Sequence, residues 1–281
     1  MREQSRTTRE HNISLDQLWS KADLLREQGE YPNAEASYRA ALAMVSPTDP
    51  ATDRKWAELA NSLGVLYKYM GRFDEAEALY NQAFAIFSER YPHEQSTMAT
   101  LYHNLGGLAH ARGNAAAGES NARRSVAIRQ QLYGPEHPAV AADKAALAAI
   151  LDAQGRYAEA EELYQEAIAL FERVYGPDDL EVGINYNNLG AMRYQQGDYA
   201  DAEKFYTEAL AIKEQKLGST HPDTAMTLNN LAVLYDEQGS IQKAIGYYQR
   251  ALSIFKSTLD ITHPHIRICQ ENLATLQFDN S

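Results

Sequence analysis

The chain has 281 residues, of which 44% are hydrophobic and 23% are charged, and its formal net charge at pH 7 is -12. This acidic balance disfavours a nucleic-acid partner, because proteins that bind polyanions usually carry an excess or a stripe of basic residues. The chain has a single cysteine, Cys269, and no apolar run long enough to cross a bilayer, so a soluble cytoplasmic protein without intramolecular disulfides is expected.

Residues 1–13 carry several arginines without apolar periodicity and are predicted to be a disordered lead-in. Helical structure is predicted to begin near Leu15, and the remaining residues, 14–281, are predicted to form one repeat domain. Its units are expected at about 15–56, 57–98, 99–140, 141–182, 183–224 and 225–266, followed by a capping helix at 267–281.

A glycine recurs every 42 residues along this domain. The six positions are Gly29, Gly71, Gly113, Gly155, Gly197 and Gly239. An apolar pattern of helical period stands on both sides of each glycine, so each unit is predicted to be two helices joined by a tight turn. The chain is therefore predicted to be an all-α, elongated solenoid in which each helical pair packs against its neighbours.

The linkers between units share a second signature. GPEHPAV begins at Gly134, GSTHPDT at Gly218 and DITHPHI at Asp260. Proline suits the first turn of the following helix, where its missing N–H would have no intrahelical partner. The histidines that recur in these linkers are predicted to be structural residues of helix starts and not catalytic residues. They are His137, His221 and His263.

The sixth unit carries the fullest version of the repeat. Its characteristic residues are Leu231, Ala232, Tyr235, Ala244, Tyr248 and Ala251. Together with the NNLAVLY and HP elements, they resemble the tetratricopeptide repeat in the 42-residue form of kinesin light chains and nephrocystin-like proteins. The resemblance extends over about residues 15–278 and implies a right-handed α-solenoid of six helix pairs plus a capping helix, whose first helices line a concave groove.

The same resemblance implies a non-enzymatic scaffold that binds a peptide or helical segment of a partner protein in the groove. A regulatory sensor or inhibitor, whose array binds a signalling peptide or a partner domain, is the alternative. The protein is expected to be a monomer without a nucleic-acid or membrane partner.

Tetratricopeptide domains that hold extended peptides use a few fixed positions of their first helices. Two adjacent positions hold Asn61, His103, Asn187 and Asn229 and, one residue later, Asn104, Asn188 and Asn230. An asparagine amide both donates and accepts, so it pairs with a peptide backbone of any sequence. The alternative is that these amides brace neighbouring helices, since buried polar groups need partners in either case.

A third position lies four residues after the small residue of each first helix. It holds Arg26, Lys68, His110, Asp152, Tyr194, Asp236 and Phe278. The cations stand in the first three units, so an acidic ligand segment is expected there, with an apolar or aromatic part nearer Tyr194 and Phe278. The contacts predicted from this series are Lys68, His110, Tyr194 and Asp236.

Enzyme and metal motifs are absent from the sequence, which has no phosphate-binding glycine loop, HExxH or paired cysteines. No catalytic residue, cofactor or metal is therefore predicted. The remaining alternative is an enzyme or metal site near His103 and His110, which share one helical face. A metal there would need a third donor from another unit.

The third unit departs from the repeat. Ala115 replaces the turn aromatic, Gly118 replaces the alanine at the close contact, and Ala122 replaces the packing tyrosine. Lost aromatic burial and a glycine within the helix predict that this second helix is the least stable of the array.

Overall fold

The computed structural model describes residues 13–278, and the side chains of residues 13–276. These residues form thirteen α-helices and no β-strand. The helices are α1 (Leu15–Glu27), α2 (Tyr31–Leu42), α3 (Asp53–Tyr69), α4 (Phe73–Arg90), α5 (Gln95–Ala111), α6 (Ala115–Tyr133), α7 (Pro138–Asp152), α8 (Tyr157–Tyr175), α9 (Leu180–Gln195), α10 (Tyr199–Leu217), α11 (Pro222–Glu237), α12 (Ile241–Thr258) and α13 (Pro264–Phe278). The predicted all-α fold of six pairs and one terminal helix is confirmed, whereas the lead-in, apart from Ile13, lies outside the described residues.

The turn inside each pair depends on the periodic glycine. Gly29 has a φ of 75°, in the left-handed region that side chains with a Cβ rarely adopt. Its N–H donates to the carbonyl of Arg26 at 3.0 Å, and the N–H of Glu30 donates to the carbonyl of Leu25 at 2.8 Å. These bonds satisfy carbonyls at the end of α1, so the chain reverses within the three residues between α1 and α2.

The array curves so that its first helices lie on the inner side. Each of α1, α3, α5, α7 and α9 packs directly on the next first helix, and the described second helices make no comparable contact with one another. Elements on the inside of a curve are closer together than those outside it. The first helices therefore form the concave surface.

Ion pairs between consecutive units hold the outer side of this curve. Glu35 of α2 accepts hydrogen bonds from Arg72 at 2.8 Å and from the Tyr67 hydroxyl at 3.0 Å, both in the next unit. Two units later Glu119 accepts from Arg156 at 2.8 Å. Hydrogen bonds, that from Arg123 first among them, lower the pKa of Glu119 to about 2. The orientation of each unit is thus fixed by its neighbour.

The third unit closes the space left by its missing tyrosine. A Cβ added to Gly118 would lie 2.7 Å from the carbonyl oxygen of Gly106, and one added to Gly106 would lie 3.2 Å from the backbone nitrogen of Ala122. In the second unit the corresponding glycine, Gly64, is covered by the ring of Tyr80. The backbones of α5 and α6 therefore approach each other where an aromatic ring separates the helices elsewhere. This approach fills the space that the tyrosine ring occupies in the second unit.

The two ends of the array contact each other. The Nε2 atom of His221 lies 3.0 Å from the carbonyl oxygen of Glu27, and that of His263 lies 3.2 Å from the carbonyl oxygen of Tyr69. Leu259 packs against the hydrophobic cluster of the first two units. The sequence predicts an elongated solenoid and does not reveal this contact: the described helices complete one turn whose ends meet, and we call the space that its first helices enclose the channel.

None of the described helices is both long and apolar enough to cross a membrane. Cys269, near the start of α13, is fully buried. Burial raises the pKa of its thiol to about 11.

Candidate peptide-binding surface

Four of the predicted asparagines are bonded in pairs across neighbouring first helices. Asn104 donates from Nδ2 to Oδ1 of Asn61 at 2.7 Å, and Asn230 donates to Oδ1 of Asn187 at 3.2 Å. The Thr227 hydroxyl also donates to Asn187, at 2.9 Å. Of the two roles considered for these amides, bracing of adjacent helices describes what they do in the structure. Asn104 is also only 6% exposed, which leaves little of it for a ligand.

Asn188 and Asn229 differ from these pairs. Both are half-buried on the concave side of the array. The Asn229 Oδ1 atom is buried without a partner among the described residues, and the amide of Asn188 makes no hydrogen bond within that part of the chain. They are the predicted backbone contacts whose hydrogen-bonding capacity is still unused.

His103 is held by a buried polar cluster. Its Nδ1 atom lies 2.7 Å from Oδ1 of Asp143, a fully buried carboxylate that also accepts from the Ser125 hydroxyl at 2.5 Å and from Arg129 at 3.2 Å. In other units Phe87, Phe171 and Phe255 stand where Arg129 does. That break in the repeat is the signal that could have revealed the cluster from the sequence.

This arrangement does not assemble a metal or catalytic centre around His103 and His110. Asp143 lies between His103 and Ser125, so the histidine does not contact the hydroxyl that it would have to deprotonate. Across the described part of the chain, no group of three His, Cys, Asp or Glu side chains is arranged to hold a metal ion.

The three predicted cations differ in availability. Arg26 is within ion-pair distance of Asp23 at 3.8 Å and of Glu27 at 3.9 Å. Burial, followed by the charge of Lys68, lowers the pKa of His110, so this imidazole is neutral at pH 7, and its buried Nδ1 atom has no partner among the described residues. His110 therefore provides hydrogen-bonding capacity and not the positive charge that the sequence argument assigned to it.

Lys68 is the cation that remains available. Its Nζ lies 5.5 Å from the ring centroid of Tyr69, and it forms no ion pair with any described residue. The surrounding protein lowers the pKa of its ammonium, although part of the side chain keeps contact with solvent in the channel. The charge of Asp223, at the start of α11, acts in the opposite direction.

The later positions of the same series carry aromatic and acidic groups. Tyr194 and Asp236 are half-buried, and the Tyr194 ring centroid lies 5.7 Å from that of Tyr199. The side chain of Phe278 lies outside the described residues. Asp152, which the sequence placed in the series but not among the predicted contacts, is buried, and its Oδ1 atom has no partner within the described chain.

The six helix pairs with their terminal helix, the left-handed glycine of each turn and the concave face of first helices define a helical repeat solenoid. The chain belongs to the tetratricopeptide repeat family, whose pattern it matches over residues 15–89, 97–173, 142–215, 181–257 and 223–279. Repeats of this family are typical of protein–protein interaction scaffolds and are generally not enzymes.

Several solved structures share the fold. BtubC (BKLC) from P. vanneervenii is 25% identical, with a TM-score of 0.55 over 87% of this chain and 92% of that chain. A putative kinesin light chain of nearly identical repeats from Podosopora anserina is 24% identical, with a TM-score of 0.51 over 72% of this chain and 96% of that one. A Rap protein complexed with competence and sporulation factor is 14% identical, with a TM-score of 0.63 over 94% and 75%. No curated protein matches the chain significantly.

Proposed function

We propose that the array is a non-enzymatic interaction module that binds an extended, acidic peptide segment of a partner protein along its concave surface. The observation that carries the proposal is the unpaired Lys68 ammonium inside the channel. An enclosed cation without a carboxylate partner loses hydration that its surroundings do not replace. A carboxylate of the ligand would provide the missing counter-charge.

The unpartnered polar groups of the first helices favour an extended ligand over a helical one. Asn188, Asn229 and His110, all on first helices, have hydrogen-bonding atoms without partners among the described residues. An extended peptide needs external partners for its backbone N–H and C=O groups, whereas a helix satisfies most of its own. Backbone pairing of this kind supplies affinity with little sequence preference, so selectivity would come from Lys68 and its neighbours.

Binding of a labelled octaglutamate peptide, followed by fluorescence anisotropy, tests the proposal. The wild-type protein should bind it, and the affinity should fall with added salt because the contact is electrostatic. Lys68→Glu replaces attraction with repulsion and should weaken binding about tenfold or more.

Lys216→Glu is the matched control. Lys216→Glu makes the same charge change at an exposed residue of α10, which is the second helix of the fifth pair and lies away from the channel. Equal loss in both variants would attribute binding to the net charge of the protein. Unchanged binding in Lys68→Glu would place the ligand outside the channel and refute the proposal.

The contact between the ends of the array favours a second candidate, a regulatory sensor. A ligand that enters the channel would strain or stabilise the bonds made by His221 and His263, and thereby shift the array between a closed and an open turn. The Rap protein of similar fold was solved with a competence and sporulation factor, which provides a precedent for ligand binding by such an array. X-ray scattering with and without octaglutamate separates the two candidates: a plain scaffold should keep its radius of gyration, and a sensor should change it.

The proposal also covers the oligomeric state, the location and the excluded partners of the protein. The protein would act as a monomer in the cytoplasm, without a nucleic-acid or membrane partner, and without a cofactor. Light scattering of the purified protein checks the monomer, and fractionation of the source cells checks the location.

A further inference from the structure

A cavity of about 260 Å³ lies between the second helices α8 and α10, on the outer side of the array. Its lining includes the buried side chains of Ile168 and Leu189 and the half-buried rings of Tyr186 and Phe205. The two rings are stacked, with their centroids 5.8 Å apart. Because these rings are only half-buried, a ligand has access to an apolar and aromatic surface here.

The carboxylate of Glu172 lines this cavity without a counter-ion. It accepts a hydrogen bond from the Tyr186 hydroxyl at 3.1 Å, and it forms no ion pair with any described residue. Arg193 also lines the cavity, but it is paired with Glu161. Lys204, exposed on α10, forms no ion pair within the described chain either. A half-buried carboxylate has lost part of its hydration, so Glu172 would gain from a cation supplied by a ligand.

The next unit of the array contains the cation that is missing here. Glu214 occupies the place of Glu172 one repeat later, and Arg250 of α12 pairs with it at 2.7 Å. Between the fourth and fifth units, the residue in the place of Arg250 is the half-buried Glu208. An acid thus stands where the following unit has the counter-ion.

The preceding unit shows a similar exchange. Lys144 of α7 pairs with Glu166 of α8 at 2.5 Å. One repeat later these two places hold Tyr186 and Glu208, and Glu208 forms no ion pair among the residues that the structure describes. Burial, the hydrogen bond to Glu172 and the charges of Glu172 and Glu208 raise the pKa of Tyr186 to about 12, in agreement with two uncompensated carboxylates around it.

We infer that this cavity binds an arginine side chain of a partner protein through the carboxylates of Glu172 and Glu208. A guanidinium suits the site because it presents several N–H donors in one plane and also stacks on aromatic faces, here those of Tyr186 and Phe205. Arg250 already fulfils the same role inside the next unit. The site lies on the outer side of the array, so the inference goes beyond the proposed binding of an acidic peptide in the channel.

Blocked pentapeptides with one central arginine test the site, and citrulline replaces arginine in the matched neutral peptide. The ring signals of Tyr186 and Phe205, followed by NMR of the intact protein, should shift saturably with the arginine peptide. Its dissociation constant, in the millimolar range because one partly exposed ion pair is weak, should be about fivefold lower than that of the citrulline peptide. Equal affinities, or no saturable shift, overturn the inference. Neither peptide is acidic, so the result is independent of binding in the channel.

A charge-neutralising variant identifies the carboxylate. Glu172→Gln should lose the preference for arginine over citrulline. Glu89→Gln makes the same charge change at an exposed residue of α4 and should retain the preference. A preference that persists in Glu172→Gln contradicts the site, and a preference lost equally in both variants attributes binding to the net charge of the protein and contradicts it as well.

Glu208→Arg keeps the inference testable if Glu172→Gln does not fold. It gives Glu172 the counter-ion that Glu214 has in the next unit, an arrangement that the array already contains. Binding of the arginine peptide should be abolished in Glu208→Arg and retained in Glu89→Arg. Retained binding in Glu208→Arg would refute the arginine site.

Discussion

The imidazole of His221 donates a hydrogen bond to the carbonyl oxygen of Glu27, 194 residues earlier in the chain. The tautomer is set locally, because Nδ1 accepts the N–H of Asp223 at 3.1 Å and Nε2 therefore carries the proton. His263 repeats both bonds one unit later, with the N–H of His265 and the carbonyl of Tyr69. Each of these two histidines thus caps the start of a helix through Nδ1 and joins the two ends of the array through Nε2.

Removal of the closing bond should expand the array. His221→Ala loses the helix cap, worth about 1 kcal/mol, and a hydrogen bond worth about 1 kcal/mol more. His137→Ala is the control. His137 caps α7 by accepting the N–H of Ala139 at 3.1 Å, but it is exposed and makes no hydrogen bond to a described residue at the other end of the array. We expect a larger radius of gyration in X-ray scattering for His221→Ala alone.

A pair of glycines provides an independent check of the same contact. Gly29 and Gly155 have φ values of 75° and 76°, so alanine is strained equally at both. A Cβ at Gly29 would lie 2.6 Å from Cδ of Pro222, whereas one at Gly155 would meet nothing within 4 Å. Gly29→Ala should therefore be less stable than Gly155→Ala, and equal losses would argue against the closed turn.

Closure should depend on pH. Burial, followed by the charge of His265, lowers the pKa of His263 from 6.5 to about 4. Between these values the unfolded chain binds the proton and the folded ring does not, so stability is complete above about pH 6.5 and is lost as the pH falls towards 4. The loss should be on the order of 1 to 3 kcal/mol, allowing for solvent screening of part of the ring.

The pH effect is isolated by comparison with His263→Asn, because asparagine caps a helix but does not titrate. Denaturation curves at pH 7 and at pH 4.5 should show a steeper loss of stability in the wild-type protein. Burial raises the pKa of Asp152, which gives a slope of opposite sign. Because both proteins contain Asp152, its contribution cancels when their stabilities at each pH are subtracted. Parallel pH profiles of the two proteins would contradict the prediction.

The close approach of α5 and α6 should make Gly118 intolerant of alanine. Alanine normally stabilises a helix interior by about 1 kcal/mol relative to glycine. At Gly118 its Cβ would lie 2.7 Å from the backbone oxygen of Gly106, and such overpacking costs about 1 to 3 kcal/mol. Gly246→Ala, in the open on α12, should be stabilising. If Gly118→Ala also stabilised the protein, the third unit would be loosely packed, as the sequence alone suggests.

The two cations that replace core phenylalanines should respond in opposite ways to methionine. Lys213 is 4% exposed, and its hydrogen bonds to described residues are those to the Thr227 hydroxyl at 3.0 Å and the Asp223 carbonyl at 3.3 Å; burial lowers its pKa. Lys213→Met should be neutral or stabilising, because it removes a buried charge that lacks a counter-ion.

Arg129→Met should destabilise the protein by about 3 to 5 kcal/mol, because it leaves the buried Asp143 carboxylate without its cation. Thermal denaturation of both variants, which place the same side chain at equivalent positions of the repeat, measures the contrast. Similar losses of stability in the two variants would show that Lys213 contributes as much to stability as Arg129 does.

The sequence by itself determined the repeat and much of its local chemistry. A glycine such as Gly155 at each turn, a proline such as Pro138 at a helix start and apolar positions of helical period are constraints within one unit, so they are visible in a linear pattern. Even the bracing of neighbouring helices by asparagines was among the alternatives that the pattern allowed.

The tertiary structure decided everything that depends on the curvature of the whole array. Small rotations between units accumulate over six repeats, and the period does not specify them. They bring His221 to Glu27, and the tight crossing at Gly106 and Gly118 likewise exists only once two helices have packed. The unpaired state of Asp152 is of the same kind, because a missing partner is apparent only when every neighbour has been placed.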